Sequence, residues 1–220
     1  MCFSATASFA SSAAIGVVGI ATLAQTREPR EWLFASIPLL FAFHQFAEGA
    51  VWLGVMGNPV LGPTRVWGFI YMLYAQGLLT LLIPLGVWFI EPGPGRRKML
   101  VPFLLLGACL TLYLLWSLSV FHTDIFVENK SVAYRNPGTS HVWVAVLYVI
   151  ATCGSLLFSG YRYIIALGVV NLIGVLLVIW FKQYAFTSVW CAYAAVVSIL
   201  IYFHFRRRRQ AEDRGLVLVH

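Results

Sequence analysis

Charged side chains are scarce in this sequence: Asp, Glu, Lys and Arg make up 10% of its 220 residues, whereas hydrophobic residues make up 60%. A soluble domain of this length needs more charge to cover its surface. The mean hydropathy of +0.83 indicates a chain that lies in lipid. The scarcity of charge therefore excludes a soluble domain and makes the lipid bilayer the expected partner.

Several signatures of known chemistry are also missing. The four cysteines show no Cys-x-x-Cys spacing, so no disulfide framework is predicted. The chain has no phosphate loop and no His-Glu-x-x-His motif. A retinal Schiff base needs a lysine in the middle of the last helix, whereas Lys98, Lys130 and Lys182 lie at the ends of apolar runs or between them. Retinal is therefore excluded as a cofactor.

Long apolar runs are what the sequence has instead. A hydrocarbon core of about 30 Å takes about 20 helical residues to cross. Runs of this kind lie at residues 7–25, 31–54, 65–90, 99–121, 141–159, 162–183 and 186–205. The sequence predicts an all-α bundle of seven transmembrane helices that forms one domain over residues 1–205, followed by a basic cytoplasmic tail at 206–220. No Lys or Arg precedes the first run, so we expect a retained helix rather than a secretory signal.

The basic residues predict the orientation of this bundle. The net charge of +7 is an orientation signal here, because most basic residues flank apolar runs, and no nucleic-acid partner is expected. With the N-terminus outside, four basic residues face outward and eleven face the cytoplasm. The cytoplasmic set is Arg27, Arg30, Arg96, Arg97, Lys98, Arg162, Arg206, Arg207, Arg208, Arg209 and Arg214. The positive-inside rule favours this orientation, with the C-terminus in the cytoplasm.

The same orientation places the long connector at residues 122–140 outside. Within it, Ile125-Phe126-Val127 and Val132-Ala133-Tyr134 flank four polar residues, a pattern that predicts a short β-hairpin between helices 4 and 5. A lid over an external pocket and an idle loop are both open interpretations of this hairpin.

Glu48 is the acidic residue that falls inside an apolar run. A carboxylate at that depth costs several kcal/mol unless it is protonated, paired or next to a wet cavity. His44 stands one helical turn away, and Gln45 and Trp52 fall in the same quadrant of the helix. We call these four residues the polar face and predict that it points into the bundle. A functional site and a set of hydrogen bonds that only hold helices together are the two interpretations.

The depth of the polar face predicts an outward-opening pocket around it. Aromatic residues at similar depths on other helices are expected to line this ligand pocket together with Gln45 and Trp52. They are Tyr71, Tyr74, Tyr113, Trp116, Trp190 and Tyr193. The alternative for these side chains is the ordinary interfacial belt of a membrane protein.

A divalent metal ion is the cofactor that the polar residues near this pocket suggest. Three candidate ligands, His122, Asp124 and His141, stand at the two ends of the long connector, and His44 and Glu48 complete the predicted set. Solvated loop residues are the alternative for the first three.

The N-terminus carries two further features. Removal of Met1 would leave Cys2 with a free amine beside its thiol, which makes it a candidate nucleophile or soft metal ligand, against the alternative of a chance cysteine. Ser8, Ser12 and Gly16 recur every fourth residue and predict a helix face that packs closely on another helix.

Two segments carry a resemblance to a known family. They are the opening Met1-Cys2-Phe3-Ser4-Ala5 and the run His44-Gln45-Phe46-Ala47-Glu48-Gly49-Ala50-Val51-Trp52. Both are similar to segments of a family of bacterial integral membrane proteins of unknown function. The resemblance implies a multi-pass protein of the bacterial cytoplasmic membrane. It also implies that Cys2, Ser4 and the polar face match the motifs of that family, and it implies no activity.

Three functions remain open from the sequence, which does not decide whether the chain is an enzyme. In the first, Glu48 and His44, with help from Cys2, form a metal-binding or acid–base site that acts on a lipid or small molecule from outside. In the second, Glu48 is a protonatable group in a protein that binds or transports a small molecule or protons. In the third, the polar face holds helices or an accessory chain together in a structural or partner protein.

Overall fold

The structure is a computed structural model, and it describes residues 4–128, 131–182, 193 and 195–214. The described chain is mostly helical. Its helices are α1 (Ala5–Leu23), α2 (Pro29–Val55), α3 (Thr64–Ile90), α4 (Pro94–Val120), α5 (Val142–Leu157), α6 (Arg162–Lys182) and α7 (Ile199–Asp213). Two antiparallel strands, β1 (Asp124–Glu128) and β2 (Ser131–Arg135), connect α4 to α5.

The helix boundaries follow local signals in the sequence. The Ser4 hydroxyl accepts a hydrogen bond from the Ala7 amide at 3.2 Å and caps α1. Glu28 and Glu31 form a capping box around Pro29 at the start of α2. Gly57 and Gly62 adopt positive φ angles of 82° and 105° in the turn between α2 and α3, which side chains with a Cβ rarely tolerate.

Among the described residues, four helices, α1 to α4, are long and apolar enough to cross a membrane. The stretches Val142–Leu157 in α5 and Arg162–Leu177 in α6 are shorter apolar helices. The predicted seventh span, 186–205, lies partly outside the described residues. The helical architecture is consistent with a membrane protein, and the count of seven spans stays a prediction.

Contacts between the connectors define two ends of the bundle. The Gly160 amide donates to the Glu91 carboxylate at 2.8 Å, and the Arg209 guanidinium donates to the Ala24 carbonyl at 2.7 Å. One end of the bundle therefore contains the connectors after α1, α3 and α5 together with the last residues of α7. We call it the basic end, and we call the opposite end, with the strands, the hairpin end.

Small residues bring α1 and α2 close together. The Ser12 hydroxyl donates to the Ala42 carbonyl at 2.8 Å, and Ser8 is fully buried. A Cβ on Gly19 would lie only 2.6 Å from the Leu39 amide nitrogen, so the two backbones nearly touch there. The predicted small-residue face of α1 is thus a helix contact, and it extends beyond Gly16 to Gly19.

The predicted hairpin is confirmed. Its register pairs Asp124 with Arg135 and Glu128 with Ser131, which matches the two predicted strands. Val132 packs against Val51 and Trp52 of α2, so the hairpin covers the hairpin end of that helix.

Candidate functional site

His44 is buried between two tyrosine rings. Its imidazole stacks on Tyr71 with ring centroids 3.9 Å apart and planes 27° apart, and the Tyr74 ring lies 5.1 Å away. Only 1% of His44 is exposed. Neither ring nitrogen has a hydrogen-bond partner of normal geometry among the described residues. A buried polar group without such a partner is costly, so this ring is a candidate for contact with a ligand or water.

The whole polar face of α2 points into the bundle. Glu48 is fully buried, and Gln45 and Trp52 are at most 5% exposed. The Nε2 atom of Gln45 and the indole nitrogen of Trp52 also have no hydrogen-bond partner among the described residues. The four residues therefore gather several polar groups inside an apolar helix bundle.

The hairpin closes this region from above. Tyr134 of β2 stacks on Tyr71 with centroids 4.5 Å apart and planes 10° apart, so the rings of His44, Tyr71 and Tyr134 form one stack. Ile125 of β1 packs on α3 so closely that a Cβ on Gly68 would lie 2.1 Å from its Cδ1. The connector thus folds back over the region where the outward-opening pocket is predicted.

A small cavity lies on the other side of His44, toward the basic end. Its volume is about 40 Å³. Ile37 and Phe41 line it from the same face of α2 that carries His44, and the Tyr74 ring contacts both Phe41 and His44. Its wall is almost entirely apolar, although four residues with polar side chains border it: Tyr148, Thr152, Asn171 and Ser198.

Two π-helical segments flank this cavity. They are Leu73–Leu78 in α3 and Ile150–Gly154 in α5. The Tyr148 hydroxyl, two residues before the second segment, donates to the Ala75 carbonyl of the first segment at 2.6 Å. Such segments are rare and are frequent at functional sites. Their presence indicates that the centre of the bundle, between His44 and the cavity, is part of the candidate functional site.

The other predicted pocket residues lie elsewhere or outside the described part of the chain. The Tyr113 hydroxyl donates to the Gly138 carbonyl at 2.9 Å in the connector, and Trp116 is 53% exposed on the outside of the bundle. The Tyr193 hydroxyl donates to the Val170 carbonyl of α6 at 2.8 Å. Trp190 and Cys2 fall outside the described residues. Of the predicted aromatic residues, Tyr71 and Tyr74 are those that contact His44.

The predicted metal ligands are not brought together. His122 and Asp124 form an exposed pair, with 3.8 Å between Nε2 and Oδ1, and His141 stacks on Trp143 at the surface. His44 and Glu48 lie in the interior. Over residues 4–128, 131–182, 193 and 195–214 no three His, Cys, Asp or Glu side chains are arranged to hold a metal ion.

A family of unknown function, DUF6629, matches residues 1–215, which is nearly the whole chain. The chain belongs to DUF6629. No curated protein and no solved structure matches it. Membership in DUF6629 confirms the predicted family of unknown function. The bacterial origin and the motif residues stay predictions.

Sequence reasoning missed a buried polar group at the basic end of this DUF6629 chain. We call it the basic-end cluster, and its members come from α2, α7 and two connectors: Glu31, Glu91, Tyr161, His204 and Arg208. Polar residues near helix ends are usually solvated, so their positions in the sequence did not indicate a buried cluster. The usable signals were His204 one turn before Arg208 and two glutamates placed among arginines.

Charge and burial shape the basic-end cluster. Arg208 forms ion pairs with Glu31 and Glu212, and Glu91 is fully buried with Oε1 3.8 Å from the Arg96 guanidinium. Burial raises the pKa of the Tyr161 hydroxyl above its ordinary value, while the charge of Arg208 acts against this shift. The cluster therefore places several ionisable groups out of contact with bulk water.

Proposed function

We propose that this chain is a multi-pass membrane protein that passes protons across the bilayer, with His44 and Glu48 as the groups that take up and release them. The buried imidazole of His44 carries the proposal. Both of its nitrogens lack a partner of normal geometry among the described residues, and Glu48 stands one turn away. Buried ionisable side chains inside spans are typical of proton relays.

The orientation in the proposal follows the basic residues. The basic end, which holds most of the Lys and Arg residues, faces the cytoplasm, and the hairpin end faces outward. In this orientation the hairpin covers the outer entrance, and the stack of His44, Tyr71 and Tyr134 lies directly beneath it.

The cavity beneath His44 is about 40 Å³ and has an almost entirely apolar wall. A cavity of this kind holds water weakly. In the proposal, water enters it transiently and connects the His44 region with the basic end.

The hydroxyls beside the cavity are bonded to the backbone. The Thr152 hydroxyl donates to the Tyr148 carbonyl at 2.8 Å, and the Ser198 hydroxyl donates to the Ala195 carbonyl at 2.6 Å. Their hydroxyl protons are therefore engaged, so the proposal assigns proton exchange to His44 and Glu48 rather than to them.

A metal-dependent reaction is not part of the proposal, because the five predicted ligands are divided between the interior and two surface positions. The acid–base chemistry that the sequence suggested for His44 and Glu48 is retained as proton exchange.

Liposomes that contain a pH-sensitive dye test the proposal. Purified protein is reconstituted, potassium with valinomycin sets the voltage, and the rate of internal pH change is measured. Glu48→Gln keeps the shape of the side chain but does not titrate, so we expect it to lower the flux about 100-fold. The same change at half-exposed Glu128 is the control and should leave the flux unchanged.

Two results would contradict the proposal. The first is no flux above that of empty liposomes for the wild-type protein, and the second is equal flux for Glu48→Gln and wild type. We expect Glu48→Gln to remain folded, because an amide keeps hydrogen-bonding capacity and avoids the cost of a buried charge.

A further inference from the structure

His204 is the unexplained residue of the basic-end cluster. It is 4% exposed, and its Nε2 atom has no hydrogen-bond partner among the described residues. The Tyr161 ring contacts the imidazole edge to face, with centroids 4.6 Å apart. Burial of this nitrogen without a hydrogen bond costs free energy, and contact with a ligand or water would remove that cost.

One face of α7 links His204 to the cavity. Ser198 and Ile201 line the cavity, and His204 follows Ile201 by three residues, so both lie on the same face. Arg208 follows one turn later on that face and pairs with Glu31. The cavity, His204 and the ionised groups of the basic end are therefore arranged in sequence along one helix.

Glu91 and Glu31 supply the buried carboxylates of the cluster. Both Glu91 and Glu31 are close enough to Tyr161 to influence its hydroxyl, and that hydroxyl is 3.4 Å from the Ile90 carbonyl. One oxygen of Glu91 accepts from the Gly160 amide, while Oε1 has no hydrogen bond among the described residues. An acceptor oxygen thus remains in the buried part of the cluster.

We infer that His204, with the Tyr161 ring beside it, is a second proton-exchange site, which connects the cavity to the cytoplasmic side. This inference rests on the proposed function and assigns its inner half. A proton that arrives through cavity water binds Nε2 of the neutral imidazole. The resulting imidazolium releases one proton to water or to a carboxylate at the basic end and becomes neutral again, so one proton enters and one leaves.

The charges around His204 set the balance of this exchange. Arg208 on the same helix opposes a positive charge on the ring. The two carboxylates of the cluster are paired with arginines, Glu31 with Arg208 and Glu91 with Arg96. A ring whose charged form is disfavoured is suited to brief protonation rather than to stable capture of a proton.

Proton currents in planar bilayers, with imidazole at equal concentration on both sides, test the inference. Neutral imidazole that crosses the bilayer carries no current, so only conduction through the protein is measured. We expect His204→Ala to lower the proton current about 100-fold and added imidazole to restore much of it. Imidazole should not restore Glu48→Gln. The surface histidine variant His141→Ala is the matched control and should conduct like wild type.

The possible results separate this inference from the proposed function. If wild type conducts and Glu48→Gln does not, a normal current in His204→Ala overturns the inference alone. A lost current that imidazole does not restore also overturns it, because a structural role explains that result. If wild type carries no proton current, the proposed function fails first and the inference fails with it.

If His204→Ala does not fold, a second variant tests the inference. Tyr161→Phe removes one hydroxyl and keeps the ring that packs on His204. We expect a current at least about tenfold lower, because the hydroxyl belongs to the proposed exchange site. A wild-type current in folded Tyr161→Phe protein would overturn the inference in that case.

Discussion

The imidazole of His44 and the phenol ring of Tyr71 stack at 3.9 Å, and this pair joins the interior of the bundle to its cover. Tyr71 carries Tyr134 of the hairpin on its other side, at 4.5 Å. A displacement of the hairpin therefore changes the surroundings of His44 directly. Through this stack the hairpin contacts the site, which a loose surface loop would not do.

Tyr134→Ala tests this connection. The variant loses one aromatic contact, worth about 0.5–1.5 kcal/mol, together with the burial of its ring. We expect thermal unfolding in detergent to begin at a lower temperature than for wild type. Val127→Ala removes an exposed side chain from the same hairpin and is the control. Equal unfolding temperatures for the two variants would mean that the stack does not stabilise the fold.

The contact between α1 and α2 gives a second prediction with a built-in comparison. A Cβ on Gly19 would meet the backbone of Leu39 at 2.6 Å, whereas one on Gly16 would meet the Ala42 Cβ at an ordinary 3.7 Å. Gly19→Ala should lower the free energy of unfolding by about 1–3 kcal/mol, because the helices must separate. Gly16→Ala should be neutral or slightly stabilising. Denaturant unfolding measures the free energy of unfolding of both variants. A larger loss for Gly16→Ala than for Gly19→Ala would refute the close packing.

Much of this architecture could be predicted from the sequence. The burial of Glu48 and His44 followed from their position inside an apolar run, where exposure to lipid is costly. The hairpin followed from two short runs of β-branched and aromatic residues around polar ones. Both predictions depend on the residues of one short segment and not on contacts with the rest of the chain.

Features that depend on several segments were not predictable in the same way. The π segments at Leu73–Leu78 and Ile150–Gly154 have no recognised sequence signal. The fold of the connector separates His122 and Asp124 from the polar face. Burial of Glu91 requires the Gly160 amide and Arg96, which approach it only in the folded bundle.

The ion pair between Arg208 and Glu31 supports a third prediction. Arg208 is 14% exposed, and Glu31 is nearly buried at the start of α2. Arg208→Gln leaves that carboxylate without its charge partner, which should lower the free energy of unfolding by about 3 kcal/mol. The double variant Glu31→Gln with Arg208→Gln should recover much of the loss. Arg206→Gln, at an exposed position, is the control, and an equal loss there would exclude a specific pair.

The orientation of the protein can be determined with reporter fusions. Reporters placed after Arg30, Arg97 and Arg209 should read as cytoplasmic, because the basic end carries most of the positive charge. Reporters near Gly62 and Ser131 should read as external. Two contrary readings would refute the proposed orientation and would reverse the direction assigned to the cavity and the basic-end cluster.

Proton selectivity is the central claim, and the reversal potential of the purified protein in a planar bilayer measures it most directly. If protons carry the current, the reversal potential should move by about 59 mV for each unit of pH difference across the bilayer. It should not respond to a gradient of potassium or chloride. A reversal potential that follows potassium or chloride and ignores pH would contradict the assignment of His44 and Glu48 to proton passage.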